Sequence, residues 1–252
     1  MHALWTTVFY QPIYNILVAI LNNITFGDVG FAVIVLTIVI KLILSPLTKK
    51  SIKSQLMMKK MEPELKRIKK EYPNKEEQAK KTFEIYKKYG TNPFSGCLVV
   101  LLQLPVIFAL YYVFYKGLSI GSIAGPLYAF MQAPVPLHVQ FLGLFDITSK
   151  SIILALLAGV TQFVQGYLAT TPPKKKDVEI VKEMPKEKEE KTFQDELAAS
   201  MQTNVRYILP ILVAFIAYKV SAVVALYLIT SNLFTMTQEW YIRTKLSKNS
   251  PI

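Results

Sequence analysis

Lys41 is the only charge in the apolar run FAVIVLTIVIKLILSPL at residues 31–47. An ammonium there can attract an anion, pair with a polar group inside a helix bundle, or snorkel toward an interface. Its cost at the centre of a membrane helix is about 2.5–3.5 kcal/mol, while each Leu, Ile, Val or Phe returns about 0.3–0.6 kcal/mol. The surrounding residues can therefore still carry the segment into a bilayer. Lys49 follows eight residues on, roughly 12 Å along a helix, so full escape to headgroups is a long reach. Hydroxyl and amide side chains recur in the other apolar runs: Gln103 beside Pro105, then Thr161, Gln162 and Gln165, then Thr230, Ser231, Asn232, Thr235 and Gln238 before Trp240 and Tyr241. Gln162 and Gln165 fall on adjoining parts of one helix face, where polar residues in lipid most often hold helices together.

The reactive groups of an enzyme are not gathered anywhere in these runs. His2, His138, Asp28 and Asp146 lie outside them, and Glu239 comes at the very end of the last. There is no metal-ligand spacing, no nucleotide-binding glycine loop and no nucleophile elbow. The lone Cys97 excludes an internal disulfide. The expectation is a protein that is not an enzyme and uses no cofactor, metal or nucleotide. Five unequal apolar runs do not divide into the matching halves common in transporters.

Those side chains must be positioned by helices. Of 252 residues, 52% are hydrophobic, and the long apolar runs alternate with lysine clusters, which predicts an all-α polytopic membrane protein. In a soluble protein a net charge of +12 would point to nucleic acid; here its placement says more. No Lys or Arg precedes Lys41, and fourteen lie in residues 49–88 against six acids. By the positive-inside rule the amino terminus is outside and residues 49–88 are cytosolic.

Residues 1–26 form an external amphipathic helix with Trp5, Phe9, Ile13, Ile16 and Ile20 on its apolar face and Asn15, Asn22 and Asn23 elsewhere; a short uncleaved anchor is the alternative. Residues 27–48 are the first span. Residues 49–91 are a cytosolic basic hairpin, bent near Pro63 and turning at residues 72–74, with Ala79, Phe83 and Tyr86 as the stripe of its second helix. Spans at 92–116 and 150–169 flank an external loop at 117–149. A flexible cytosolic loop at 170–204 leads to a short span at 205–218, a tight reversal, a final span within 219–242 and a basic cytosolic tail at 243–252. The hairpin reads either as a solvated charged element or as a contact surface. In the second case Lys59, Lys60, Lys66 and Arg67 would meet anionic lipid or ribosomal RNA, and exposed Met57, Met58 and Met61 would meet apolar peptide.

Four stretches together carry a family resemblance: GDVGFAVIVLTIVIKLILSPLTKKS at 27–51, NPFSGCLVVLLQLPVIFALYYVF at 92–114, LLAGVTQFVQ at 156–165 and ALYLITSNLFTMTQEWYI at 225–242. In this order around a basic hairpin, the chain resembles the YidC/Oxa1/Alb3 family of membrane protein insertases, in a short form without a large external domain. The resemblance implies five transmembrane helices around a hydrophilic groove open to cytosol and lipid and closed outside. It implies transient capture of a substrate's hydrophilic segment, with release of its apolar helix into the bilayer of a bacterial plasma membrane. Lys41 stands where the family usually has arginine, keeping the charge and losing the planar fork. Gln165 matches the groove glutamine, Trp240 the aromatic of the last helix, and Cys97 a packing position. The groove set is then Lys41, Gln103, Gln162, Gln165, Ser231, Asn232, Thr235 and Trp240. The implied partners are nascent membrane proteins, lipids, a transiently bound ribosome and the Sec translocon, with a monomer as the acting unit. A membrane assembly scaffold and a small-anion channel are the alternatives.

Overall fold

The computed structural model describes residues 5–72, 74–91, 95–117, 127–170 and 204–249. A π-helical turn, Thr6–Tyr10, leads into α1, Gln11–Asn23. Then come α2 (Val29–Glu71), α3 (Lys75–Lys88), α4 (Ser95–Gly117), a small hairpin of β1 (Gln140–Phe141) and β2 (Phe145–Asp146), and α5 (Ile152–Thr170). A second π-helical turn, Asn204–Ile208, precedes α6 (Leu209–Val220), and α7 is Ala222–Asn249. Helices thus stand at each position expected of a span. By length and apolarity two of them can cross a bilayer, within Val29–Met58 and Ile152–Ala169, and Gln103–Phe114 is apolar but shorter. The loop at 170–204 falls almost wholly outside the described residues, as do residues 92–94 and 118–126.

α2 begins sharply because Asp28 caps it, its carboxylate accepting from Phe31 N at 2.9 Å. It then runs through both Pro46 and Pro63 without ending. The first span and the first hairpin helix are therefore one continuous element rather than two separate helices. Each proline removes one backbone hydrogen bond, and the helix resumes on its far side.

The core joins all the long helices except α3: Leu36 and Ile40 of α2, Val106, Leu110 and Val113 of α4, Leu154 and Ala158 of α5, Ala217 of α6 and Val223–Leu228 of α7. α5 and α6 meet through small residues. A side chain on Gly159 would come within 2.9 Å of the Ala214 methyl. In lipid, where apolar burial drives little, such close backbone approach supplies the attraction.

α1 is less exposed than an independent surface helix. Ile13, Tyr14, Leu17, Val18, Ile20 and Leu21 are buried, and so is Asn15, contrary to its expected place on the outer surface. Asn15 is buried because it is used: its carbonyl accepts from Tyr128 N at 2.9 Å. Asn22 accepts from Val135 N and donates to Ala133 O. The segment 127–149 is thereby strapped across α1, and from there to α2 and α7. His138 exchanges backbone bonds with Gly27 and Val29; Ile147 and Ser149 accept from Val223 and Ala222. A side chain on Gly30 would run into the Phe141 ring, so the β-hairpin needs glycine beneath it. These contacts gather at one end of the bundle, the loop end, and α2 carries the chain out at the other, the hairpin end.

α2 and α3 form the expected helical hairpin, with Tyr72 closing α2 and Asn74 capping α3. Its packing differs from the expected stripe. Ile85 is buried and Tyr86 and Tyr89 pack beside it, while Phe83 points outward and Ala79 is exposed. Met61 and Ile68 supply the α2 side, with Met58 and Leu65 partly buried against them. The Tyr89 hydroxyl donates to Glu64, and the Lys88 ammonium lies 3.3 Å from the same carboxylate. The Tyr89 bond, with a smaller contribution from Lys88, holds the Glu64 carboxyl below its ordinary value, and Glu64 in turn raises the Tyr89 phenol.

Candidate functional site

Lys41 reaches the site from the middle of the apolar part of α2. Its Nζ donates to Thr235 Oγ1 of α7 at 3.1 Å and to Gln103 Oε1 of α4 at 3.4 Å. Thr235 is held for this by donating its own proton to Ser231 O one turn back, at 2.8 Å, which leaves its oxygen free to accept. Gln103 spends its carbonyl on Lys41, and its buried Nε2 has no acceptor among the described residues. One turn on, Gln238 Nε2 donates to Ser45 Oγ at 2.9 Å, while its buried Oε1 finds no donor there. α2 and α7 run the same way, so Lys41–Thr235 and Ser45–Gln238 are successive rungs of one polar seam.

Lys41 makes no ion pair among the described residues. Glu239, the acid nearest in sequence to Thr235, is taken by Arg243, whose guanidinium also reaches Ala169 O at the end of α5. Among the described residues the ammonium meets neutral acceptors alone. It carries three N–H donors and uses two of them among the described residues, where the Gln103 amide also leaves a donor unused. Such a site can take a carboxylate or a peptide carbonyl. No group of three or more metal-ligating side chains occurs among the described residues.

The structure unites part of the predicted set. Lys41, Gln103 and Thr235 come together, and Ser231 is buried beneath them as the carbonyl that orients Thr235. Asn232 instead donates to Thr161 of α5 at 3.2 Å, tying α7 to α5. Gln162 donates to Gln165 at 3.0 Å, so these two satisfy one another rather than Lys41. Trp240 does not join: it is 68% exposed, and five residues beyond Thr235 turn it about 140° away around a helix of 3.6 residues per turn. The sequence reading omitted Ser45 and left Gln238 out of the site. Their spacing of four from Lys41 and three from Thr235 marks both as neighbours on the same faces.

In the basic hairpin, Met61 is corrected: at 0% exposure it is the centre of the hairpin core and presents nothing to a partner. Met58 is packed against that core and Met57 is half-buried. Lys60 and Arg67 are exposed, the latter paired with Glu71 at 2.8 Å. The side chains of Lys59, Lys66 and Cys97 lie outside those described.

The model of the 60Kd inner membrane protein family matches residues 20–249. The chain belongs to that family. It is 32% identical over 231 residues to the membrane protein insertase YidC of Clostridium tetani, covering 91% of this chain and 88% of that one. To the protein of the same name from Fusobacterium nucleatum it is 32% identical over 240 residues, covering 92% and 98%. Against that of Stutzerimonas stutzeri it is 30% identical over 94% of its own length but 35% of the other's. The fold is also similar to a crystal structure of an active YidC insertase, with a TM-score of 0.53 at 22% identity. That match covers 94% of this chain and spans 46% of the solved one. The family resemblance read from the four sequence stretches is thereby confirmed.

Proposed function

We propose that this chain is a membrane protein insertase of a bacterial plasma membrane, and that the Lys41 site receives the hydrophilic segment of a nascent membrane protein. The observation that carries the reading is the Lys41 ammonium, held at 3.1 and 3.4 Å by neutral oxygens and without an ion pair among the described residues. Two of the most similar relatives, matched over nearly their whole length, bear the name insertase. In this reading the loop end faces outward, where the strap at 127–149 closes the bundle, and the hairpin end is cytosolic. Five helices, α2 and α4–α7, span the membrane, with the amino terminus outside and the carboxyl terminus inside.

The mechanism needs no nucleotide. A polar tail entering the bundle exchanges water for Lys41, Gln103 and the Ser45–Gln238 rung, which lowers the cost of placing it at membrane depth. The substrate's apolar helix then moves into lipid, and that burial supplies the free energy. Exposed basic residues of the hairpin, Lys60 and Arg67 among them, meet anionic lipid or ribosomal RNA during delivery. One copy suffices, because Lys41, Gln103 and Thr235 all come from one chain.

The test is photocrosslinking to stalled nascent membrane chains. Probes at Ser45, Gln103 and Thr235 should crosslink strongly, and probes at the outward-facing Val160 and Phe215 weakly. Similar yields from both sets would refute a substrate groove and leave an assembly scaffold as the better reading.

A further inference from the structure

Only two non-glycine residues among those described have positive φ: Phe26 at 48° and Leu142 at 55°. Each is the first central residue of a four-residue turn, closed by Asp28 N to Thr25 O at 3.0 Å and by Leu144 N to Phe141 O at 3.1 Å. Each is followed by a glycine that is also at positive φ, Gly27 at 90° and Gly143 at 68°. Two successive positive φ values are the pattern of a type I′ turn, whose first position favours Asn, Asp or Gly. A large apolar side chain there is disfavoured by the backbone. Yet both are turned outward, Phe26 at 75% and Leu142 at 59% exposure. In water neither the strain nor the exposure gains anything.

The two turns are brought to the same place. The Phe26–Gly27 turn ends on Asp28, the cap of α2. The Leu142–Gly143 turn is the tip of the β-hairpin, whose Phe141 ring lies against Gly30 and meets the Phe31 ring edge-on at 5.3 Å. From there an outward apolar stripe continues down α2 through Phe31, Ile38 and Leu42, all exposed and spaced by seven and four residues. Leu144 extends it at the hairpin tip.

We infer that Phe26 and Leu142 are lipid wedges: the two strained turns hold them in the leaflet at the loop end, as an extension of the lipid-facing stripe of α2. The occupant is the upper acyl region of the bilayer, which repays the strain by burying both side chains. The strap at 127–149 is thereby fastened to the membrane as well as to α1, α2 and α7. This inference does not depend on the insertase reading; it requires only that α2 stand in a bilayer.

The test uses the full chain with Cys97→Ala, reconstituted in vesicles of phosphatidylethanolamine and phosphatidylglycerol. Nitroxide labels are placed singly at Phe26→Cys and Leu142→Cys, with Leu42→Cys as the lipid reference and Lys150→Cys as the aqueous one. Both labels should collide with oxygen far more than with a water-soluble nickel chelate, as at Leu42. A label as open to nickel as that at Lys150 overturns the proposal. Protection from both reagents also overturns it, because the occupant would then be protein. In Phe26→Asn/Leu142→Asn, where the new residues suit the turns, a label at Leu144→Cys should move from the oxygen-accessible to the nickel-accessible class. No movement would mean that the two side chains do not hold the hairpin in lipid.

Discussion

Glu239 and Arg243 are joined one turn apart on α7, and this pair engages the only acid of the final apolar stretch. The carboxylate is buried, while the guanidinium retains some access to solvent. Breaking a buried pair from one side strands a charge, at about 3–5 kcal/mol, and partial solvent access reduces that. Arg243→Ala should therefore lower stability by roughly 2–3 kcal/mol, read as a lower melting temperature in nanodiscs. Arg243→Ala with Glu239→Gln should recover most of the loss. If the double variant melts no higher than Arg243→Ala alone, the damage comes from the lost Ala169 O contact instead.

Lys41 itself should matter through charge. A hydrogen bond to a charged group is worth about 1.5–3 kcal/mol, so losing one to an acidic tail predicts a fall of roughly tenfold or more. In proteoliposomes, protease protection should show Lys41→Ala inserting a substrate with a short acidic tail at least several-fold less well. Lys41→Arg should retain most insertion, since the charge persists. A neutral tail should respond much less. An equal loss for acidic and neutral tails would show that the ammonium acts on the fold and not on the substrate.

The sequence made Lys41 legible because a charge in an apolar run is conspicuous without any structure. Gln103 and Thr235 were legible as types, since polar side chains at membrane depth need partners. What periodicity could not supply was which face of α7 meets α2 and which meets α5. Asn232 and Thr235 are three residues apart, yet one turns to Thr161 and the other to Lys41. Trp240 came from the resemblance instead, and it lies exposed on a different face of α7 from Thr235. The hairpin failed differently: Met61 sits in a lysine-rich stretch that reads as solvated, and only the pairing of α2 with α3 buries it. Asn15 is the third case, a polar residue whose burial depends on a backbone N–H from a segment more than a hundred residues away.

The Glu64–Tyr89–Lys88 contact predicts a pH response confined to the hairpin. The carboxyl of Glu64 is held below its ordinary 4.5, first by the Tyr89 hydroxyl and less by Lys88. Its contribution is therefore complete above pH 4.5 and lost as the pH falls through the lowered value. Tyr89 is raised above its ordinary 10.0 by the same bond, so its share holds below pH 10 and is lost as pH rises through the raised value. Hydrogen exchange of α3 amides, corrected for the intrinsic pH dependence, should quicken at both extremes. Tyr89→Phe should flatten both limbs, and an unchanged profile in that variant would assign the response to other carboxylates.

Met61 separates the two roles open to the hairpin methionines. Among the described hairpin side chains it is the one fully buried, and Met57 one turn earlier is only half-buried. Truncating a buried methionine to alanine costs about 2–5 kcal/mol, through lost transfer energy and the cavity left behind. The hairpin core has few other members, so Met61→Ala should open α3 from α2 locally. The expected signature is faster hydrogen exchange throughout α3 with the bundle's melting temperature nearly unchanged. Met57→Ala should leave that exchange almost as it was. If the two variants behave alike in exchange and differ only in crosslinking to nascent chains, Met61 is a contact residue after all and the burial argument fails.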